Sequence, residues 1–430
     1  MKNSGIEWIG EIPDDWKVEK LKYIVTSLSS GGTPDSTNEL YYEDTGIPWV
    51  IIADMKSDII YDTQKKISRA GLESKNLKIF PQGTLLYAMY ASVGKVSELG
   101  IAAAINQAIL ALTINCDISN KQYLKYCLRA YEQFVFAESN GNTQFNLNAY
   151  KVANFSFLFP TLILQHKIAN YLDKKCAAVD RLIENQRAQI EKLKEYKQSV
   201  ITEAVTRGLD PSAPMKDSGV EWIGNISTNH FSCKLKFLLK EKMTYGANES
   251  GEKNPENKVR YIRITDITSD GKLKDGENNL YLSFEQAKPY LMHDNDVLFA
   301  RSGGTVGKTF LYKSAYGKCA FAGYLIKAQC DRKKLIPKYL IYYTQSSLYD
   351  LWKNMIFIQA TIQNIGAGKY ENLEIVVADM KEQERLVAYL DKKCAEIDKL
   401  IAIKQQKIET LTEYKKSLIY EYVTGKKQVG

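Results

Sequence analysis

The residues nearest to a reaction motif are Val306-Gly307-Lys308-Thr309, which carry the glycine, lysine and hydroxyl of a phosphate-binding loop. A nucleotide-hydrolysing loop has four residues between its two glycines, so that successive amides wrap a phosphate. Here Gly303 and Gly307 have only three residues between them, and Ser302 stands where the first glycine is needed. The corresponding Tyr90-Ala91-Ser92-Val93-Gly94-Lys95 lacks both the first glycine and the hydroxyl, which excludes a nucleotide hydrolase. His166, His230 and His293 are isolated, and seven cysteines are scattered without a Cys-x-x-Cys pair, so neither a metal site nor a disulfide framework is indicated. No Gly-x-Ser-x-Gly elbow, His-Glu-x-x-His pair or Asn-Pro-Pro-Tyr tetrapeptide occurs. The chemistry left is binding, and the chain is read as non-catalytic.

Four segments could bind a polyanion that also presents hydrogen-bonding edges. Arg260-Tyr261-Ile262-Arg263-Ile264-Thr265-Asp266-Ile267 alternates like a half-buried strand, and Arg260 and Arg263 could reach phosphates or guanine edges. Arg301, Ser302 and Lys308 lie in a glycine-rich loop whose amides and cations suit phosphate oxygens. Asn142, Gln144 and Asn146 form an amide-rich stretch matched by Thr361 and Gln363, and such amides pair bidentately with adenine. Tyr90, Ser92 and Lys95 are chosen by position in the first half of the chain. For each segment the competing reading is an ordinary surface turn.

The elements that must position these residues occur twice. Lys2-Asn3-Ser4-Gly5-Ile6-Glu7-Trp8-Ile9-Gly10 returns as Lys216-Asp217-Ser218-Gly219-Val220-Glu221-Trp222-Ile223-Gly224, and the stretch from Gln165 returns from Gln383 with roughly half of its positions identical. A unit this long is a duplicated module, since solenoid periods run about 20–50 residues. Within each half, short strands are expected at 47–52, 83–90 and 108–114, and again at 259–267, 297–300 and 322–328. Helices are expected at 121–136 and 337–355. The mixture is α+β.

From about 161 to 206 and 380 to 424 glycine and proline vanish. Val179, Ile183, Gln186, Ile190, Leu193, Lys197, Val200 and Ala204 then follow alternating four- and three-residue steps. Ile397, Ile401, Lys404, Ile408, Leu411, Lys415, Leu418 and Tyr422 do the same. These are coiled-coil seams, expected to zip against each other within one chain, with polar layers at Gln186, Lys404, Lys197 and Lys415 constraining register. The alternative is that each helix packs only on its own domain. The resulting division is 1–160, 161–208, 209–378 and 379–430.

Composition sets outer limits. Apolar residues make up 45% and charged residues 25% of 430, the balance of a folded domain rather than a disordered chain. The formal charge of +8 is compatible with a polyanion partner without demanding one. No stretch is apolar for long enough to span a bilayer, and the first residues lack an apolar signal core, so a cytoplasmic chain with no membrane partner is expected.

Together these residues resemble the DNA-specificity (S) subunit of Type I restriction–modification systems. The resemblance is carried by Ser4-Gly5-Ile6-Glu7-Trp8-Ile9-Gly10-Glu11-Ile12-Pro13 with Trp16 and its second copy, by Tyr261-Ile262-Arg263-Ile264-Thr265-Asp266-Ile267, and by the helical ending Leu193-Lys194-Glu195-Tyr196-Lys197 onward. It covers essentially the whole chain. It implies two similar target-recognition domains of mixed α/β structure, separated by two long helices that form an intramolecular antiparallel coiled coil. Each domain would read one half of a split, asymmetric double-stranded DNA sequence. The chain would bind no cofactor itself. Two modification (methyltransferase) subunits using S-adenosylmethionine would dock on it and methylate adenine, with ATP- and Mg-dependent restriction subunits as an optional addition. The rival class is a coiled-coil scaffold that joins protein partners without reading DNA. One departure stands out: the first half has Ile51 and Met89 where the second has Arg263 and Arg301, so the two half-sites should differ.

Overall fold

The structure is a computed structural model of the full chain. It describes every residue except 8, 91, 136–146, 254–255, 257–258, 269–270, 275, 277, 359–363 and 430. Contacts divide the chain into a first unit, Met1–Gln186 with Gln406–Gly430, and a second unit, Arg187–Gln405. These units cut across the linear four-part division, because each takes part of both long helices.

The first unit contains β1 (Lys17–Lys20), β2 (Val25–Ser30), β3 (Tyr42–Val50), β4 (Ile59–Ile60), β5 (Lys65–Ile67), β6 (Leu85–Ala88), β7 (Val96–Leu99), β8 (Ala104–Ile105), β9 (Ile109–Ile114) and β10 (Ser156–Phe159). Helix α1 spans Lys121–Val135, and the long helix α2, Leu162–Arg207, begins here. The strands form sheets ordered β2-β9-β6-β7-β4, β8-β3-β5 and β10-β1. β6 and β9 are continuous apolar runs because both of their faces are covered. Leu85, Tyr87, Leu110 and Leu112 face one core with Tyr123 and Tyr131 of α1, whereas Leu86, Ala88, Ile109 and Ala111 face another with Val50 and Met55.

The second unit repeats this plan with β11 (Phe231–Lys234), β12 (Thr244–Tyr245), β13 (Val259–Ile262), β14 (Leu280–Leu282), β15 (Val297–Ala300), β16 (Thr309–Leu311), β17 (Cys319–Phe321), β18 (Leu325–Ala328) and β19 (Glu374–Val377). Its longer helices include α3 (Pro337–Tyr343), α4 (Ser347–Ile358) and the start of the long α5 (Met380–Val423). The sheets are ordered β12-β18-β15-β16, β14-β13-β17 and β11-β19. Again Val297, Phe299 and Ile326 face one core while Leu298, Ala300 and Leu325 face another.

Three expected elements differ. The strand expected over 259–267 stops at Ile262, because Asp266 folds back to accept the Arg263 amide at 2.8 Å and closes a 3-10 turn at Ile264–Asp266. The strand expected at 47–52 likewise ends at Val50, where Asp54 accepts the Ile51 amide at 2.9 Å. The single helix expected over 337–355 is two helices. Buried Ser346 accepts the Tyr349 amide and donates to the Tyr343 carbonyl at 2.7 Å, ending one helix and starting the next.

Within each unit the long helices pair antiparallel. In the first, Asp180 and Tyr171 of α2 meet Lys415 and Tyr422 of α5, in opposite chain order. In the second, Lys197 of α2 binds Asp398 at 2.8 Å and Lys404 of α5 binds Gln189. All sixteen seam residues are buried or half-buried. Each pair also packs on the globular part of its unit: Leu418, Ile419, Tyr422 and Val423 enter the core of Trp16 and Tyr123, and Val200, Ile201, Ala204 and Val205 enter that of Tyr339 and Tyr343. The helices thus meet each other and a domain at once, where the sequence posed these as alternatives.

A buried glutamine ties each helix start to its domain. Gln165 accepts the Asn120 amide at 2.9 Å and donates to the Pro160 carbonyl at 3.0 Å. Gln383, its repeat equivalent, accepts the Ile336 amide and donates to the Lys334 and Ala378 carbonyls, each at 2.9 Å. Satisfying these amides removes the cost of burying them.

Candidate nucleic-acid interface

The glycine–lysine turn closes with the same pair of backbone hydrogen bonds in both units and is one residue longer in the second. In the first it joins β6 to β7: the Ala88 amide donates to the Lys95 carbonyl at 2.9 Å, and the Gly94 amide to the Ala88 carbonyl at 3.1 Å. In the second it joins β15 to β16: the Ala300 amide donates to the Lys308 carbonyl at 2.8 Å, and the Gly307 amide to the Ala300 carbonyl at 2.9 Å. Gly94 and Gly307 have φ of +88° and +84°, values that disfavour a side chain, which explains the recurring glycine. The amides of Val306, Gly307 and Lys308 are all used within the turn. The phosphate-loop likeness is therefore a tight turn between strands.

The candidate residues fall into distinct settings. Tyr90, Ser92 and Lys95 share the first unit's turn and are half-buried. Lys95 lines a cleft of about 510 Å³ with Lys56, Arg129, Glu132 and Lys416. Arg260 is on β13 and bonds the Lys274 carbonyl and, at 3.3 Å, Asn279. Arg263 forks onto Asp266, with Nε at 3.1 Å and Nη2 at 2.8 Å, and reaches the Asn278 carbonyl at 3.0 Å. Three of its five N–H donors are so used, and the Nη1 pair is not among them. Arg301 lies over the Tyr245 ring, 5.0 Å from its centroid, and its Nε is 3.5 Å from Asn364 Oδ1. Ser302 pairs with Asn364 through a β-bridge, and Lys308 is exposed. The structure thus gathers Arg301, Ser302 and Lys308 into one turn beside Asn364. Asn142, Gln144, Asn146, Thr361 and Gln363 lie outside the described residues.

Sequence reasoning passed over Tyr245 and Tyr324, which are 44% and 65% exposed beside Arg301. The Tyr324 carbonyl accepts the Arg301 amide at 3.0 Å, and the Tyr245 hydroxyl accepts the Ala367 amide at 2.9 Å. Their first-unit equivalents follow from strand register. Tyr245 pairs with Ile326 as Ser30 pairs with Leu110. The Met89 amide bonds the Ala108 carbonyl at 2.8 Å as Arg301 bonds Tyr324. Where the second unit has Tyr245, Arg301 and Tyr324, the first has Ser30, a buried Met89 and Ala108. The match of Met89 to Arg301 was already given by the sequence, whereas those of Ser30 to Tyr245 and Ala108 to Tyr324 come from strand register.

Among the described residues no cluster of His, Cys, Asp or Glu could hold a metal ion, and no helix is long and apolar enough to cross a membrane. All seven cysteines are free thiols. Burial pushes the Cys394 thiol up to about 11 and that of its equivalent Cys176 upward, so both are packing groups rather than nucleophiles.

Two mixed domains, each bearing a turn of polar and cationic side chains and each packed on paired helices, define a two-reader binding protein. The family model for the Type I restriction modification DNA specificity domain matches residues 13–192 and 236–413. The chain belongs to that family, and its function is DNA specificity in a Type I restriction–modification system. It is 25% identical to the Type I restriction enzyme MjaIX specificity subunit of Methanocaldococcus jannaschii, over 69% of this chain and 68% of that one. It is 23% identical to the StySPI specificity subunit of Salmonella potsdam, over 89% of this chain and 84% of that one. A chain solved in work on complex assembly and conformational transition of the type I R-M system matches with a TM-score of 0.68 at 15% identity, covering 96% of this chain and 98% of that one. That likeness shows the fold alone. The family match sets aside a coiled-coil scaffold without DNA readout.

Proposed function

We propose that the chain reads a bipartite, asymmetric DNA target, one half-site per globular domain, and directs adenine methylation by two modification subunits docked on it. Restriction subunits are an optional addition to the same assembly in this reading. S-adenosylmethionine, ATP and Mg²⁺ belong to those partners, and the chain contributes recognition and no reacting group. The assembly works in the cytoplasm. Tyr90, Ser92 and Lys95 contact the first half-site, together with Asn142, Gln144 and Asn146. Arg301, Ser302 and Lys308 contact the second, with Arg260, Arg263, Thr361 and Gln363.

The observation that carries this reading is the contrast between frame and turn. The helix anchors Gln165 and Gln383 bond alike, and Gly94 and Gly307 close corresponding turns, yet where the second unit has Tyr245, Arg301 and Tyr324 the first has Ser30, Met89 and Ala108. A shared frame with unlike contact residues is what two readers of different sequences need, because base edges are distinguished by donor and acceptor pattern. Sequencing of methylated adenines in the host genome, with and without this gene, tests it. The expected result is loss of one motif made of two unlike blocks; an unchanged set of methylated adenines would overturn it.

A further inference from the structure

We propose that Arg301 reads a guanine in the second half-site through its terminal Nη1/Nη2 edge, and that Tyr245 and Asn364 are the positioning residues that aim it. The inference rests on the DNA-reading function above and assigns one base to one side chain.

The four arginine and lysine candidates of the second unit are not equivalent. Arg263 is paired with the Asp266 carboxylate, and one terminal nitrogen of Arg260 bonds Lys274 and Asn279. Lys308 is exposed with only its backbone engaged in the turn, so it can approach a phosphate but has no fixed direction. Arg301 differs from all three. Its guanidinium is stacked on Tyr245, whose own hydroxyl is pinned by the Ala367 amide. Asn364 Oδ1 lies on the Nε side at 3.5 Å, and among the described residues no hydrogen bond engages the two terminal nitrogens. No carboxylate is paired with it among the described residues.

A planar cation held by a ring face and one amide presents two parallel N–H donors at low entropic cost. Guanine offers two acceptors, O6 and N7, on its major-groove edge. Adenine puts a donor where O6 would be, which opposes the fork. The approach is open: a side chain built on Gly303 or Gly304 would meet nothing within 4 Å. Tyr324, bonded to Arg301 through the backbone and 65% exposed, supplies an apolar flank beside the edge being read. At the places of Tyr245, Arg301 and Tyr324 the first unit has Ser30, Met89 and Ala108, so this arginine readout belongs to the second half-site alone.

The test uses the full chain with its modification partner and a set of duplexes, each carrying one changed base pair of the methylated motif. Wild type should discriminate at every specified pair. R301A should lose about 10–100-fold discrimination at one G·C pair of the second half-site, with the first half-site read as before. Y245A and N364A should weaken discrimination at that same pair, and Y245F, which keeps the ring, should restore it. A structural defect would instead weaken all duplexes together. If Y245A does not fold, R301A and Y245F still decide the matter. Uniform weakening by R301A on every duplex would make Arg301 a phosphate clamp and overturn the assignment, as would an effect confined to the first half-site. A wild-type complex that binds all duplexes alike would sink the DNA-reading function itself, which is a separate failure.

Discussion

Lys415 Nζ lies 2.7 Å from both carboxylate oxygens of Asp180, and their repeat equivalents exchange roles: Lys197 Nζ lies 2.8 Å from both oxygens of Asp398. The same two positions supply one ion pair to each unit. A polar seam position next to an acid on the opposite helix is satisfied in only one register, which favours that register over slipped alternatives. Each lysine is 24% exposed and its aspartate about half exposed, so each pair contributes about 0.5–1 kcal/mol. Lys415→Asp should lower the denaturant midpoint, and the exchanged pair Asp180→Lys with Lys415→Asp should recover most of the loss. A double variant no better than the single one would remove the pairing from the account.

The Tyr126 hydroxyl donates to Asp173 at 2.7 Å, and in the second unit Tyr342 donates to Asp391 at 2.5 Å. Both bonds join a domain helix to a long helix, and burial pushes both phenols far above their ordinary range, so they stay protonated donors. Tyr126→Phe should cost about 1–2 kcal/mol in chemical denaturation, the scale of a lost bond to a charged acceptor. Tyr342→Phe should cost the same. A neutral substitution at both would show that the helices are held by apolar contact alone.

His230 is buried under the end of α2, and burial depresses its pKa against the favourable carbonyls of Val205 and Thr206. Because the folded value is the lower one, the unfolded chain takes up the proton first. The contribution of the neutral ring is therefore complete above about pH 6.5 and is lost as pH falls toward the folded value. Stability measured between pH 7 and 5 should decline, and His230→Gln should flatten that decline. An identical slope in the variant would place the acid sensitivity elsewhere.

Gly307 holds φ at +84° with Lys353 against the place of a Cβ, and Gly94 holds +88° with Glu132 there. Gly307→Ala should lower stability by about 1–2 kcal/mol through backbone strain and crowding. Gly94→Ala should cost at least as much, since the atoms it would meet include the Glu132 backbone. Thermal unfolding of both variants checks this, and wild-type melting would contradict the turn geometry.

Much of the frame was legible in the sequence because it is periodic and repeated. Val179 through Ala204 mark their helix by spacing alone, and the loss of glycine and proline from about 161 and 380 marks where each helix begins. The boundaries that went astray were set by single side chains. Asp266 and Asp54 each end a strand by accepting an amide three residues back, and Ser346 splits a helix whose apolar face runs on through Tyr343, Tyr349 and Trp352. The site was legible only in part. Arg301 and Lys308 are recognisable by type, but Tyr245 and Tyr324 are two among 28 tyrosines, and strand pairing rather than sequence proximity brings them to Arg301. Arg263 is also recognisable by type, and Asp266, three residues on, takes two of its donors.

In the proposed function the paired helices are a brace that sets the length of the unspecified run between the two half-sites. Adding one heptad to each long helix at facing seam positions would lengthen that brace by about 10 Å at 1.5 Å per residue while keeping the seam in phase. Methylome sequencing should then show both specified blocks unchanged and the unspecified run between them longer by about three base pairs, at 3.4 Å of rise each. An unchanged run, or altered blocks, would contradict the account.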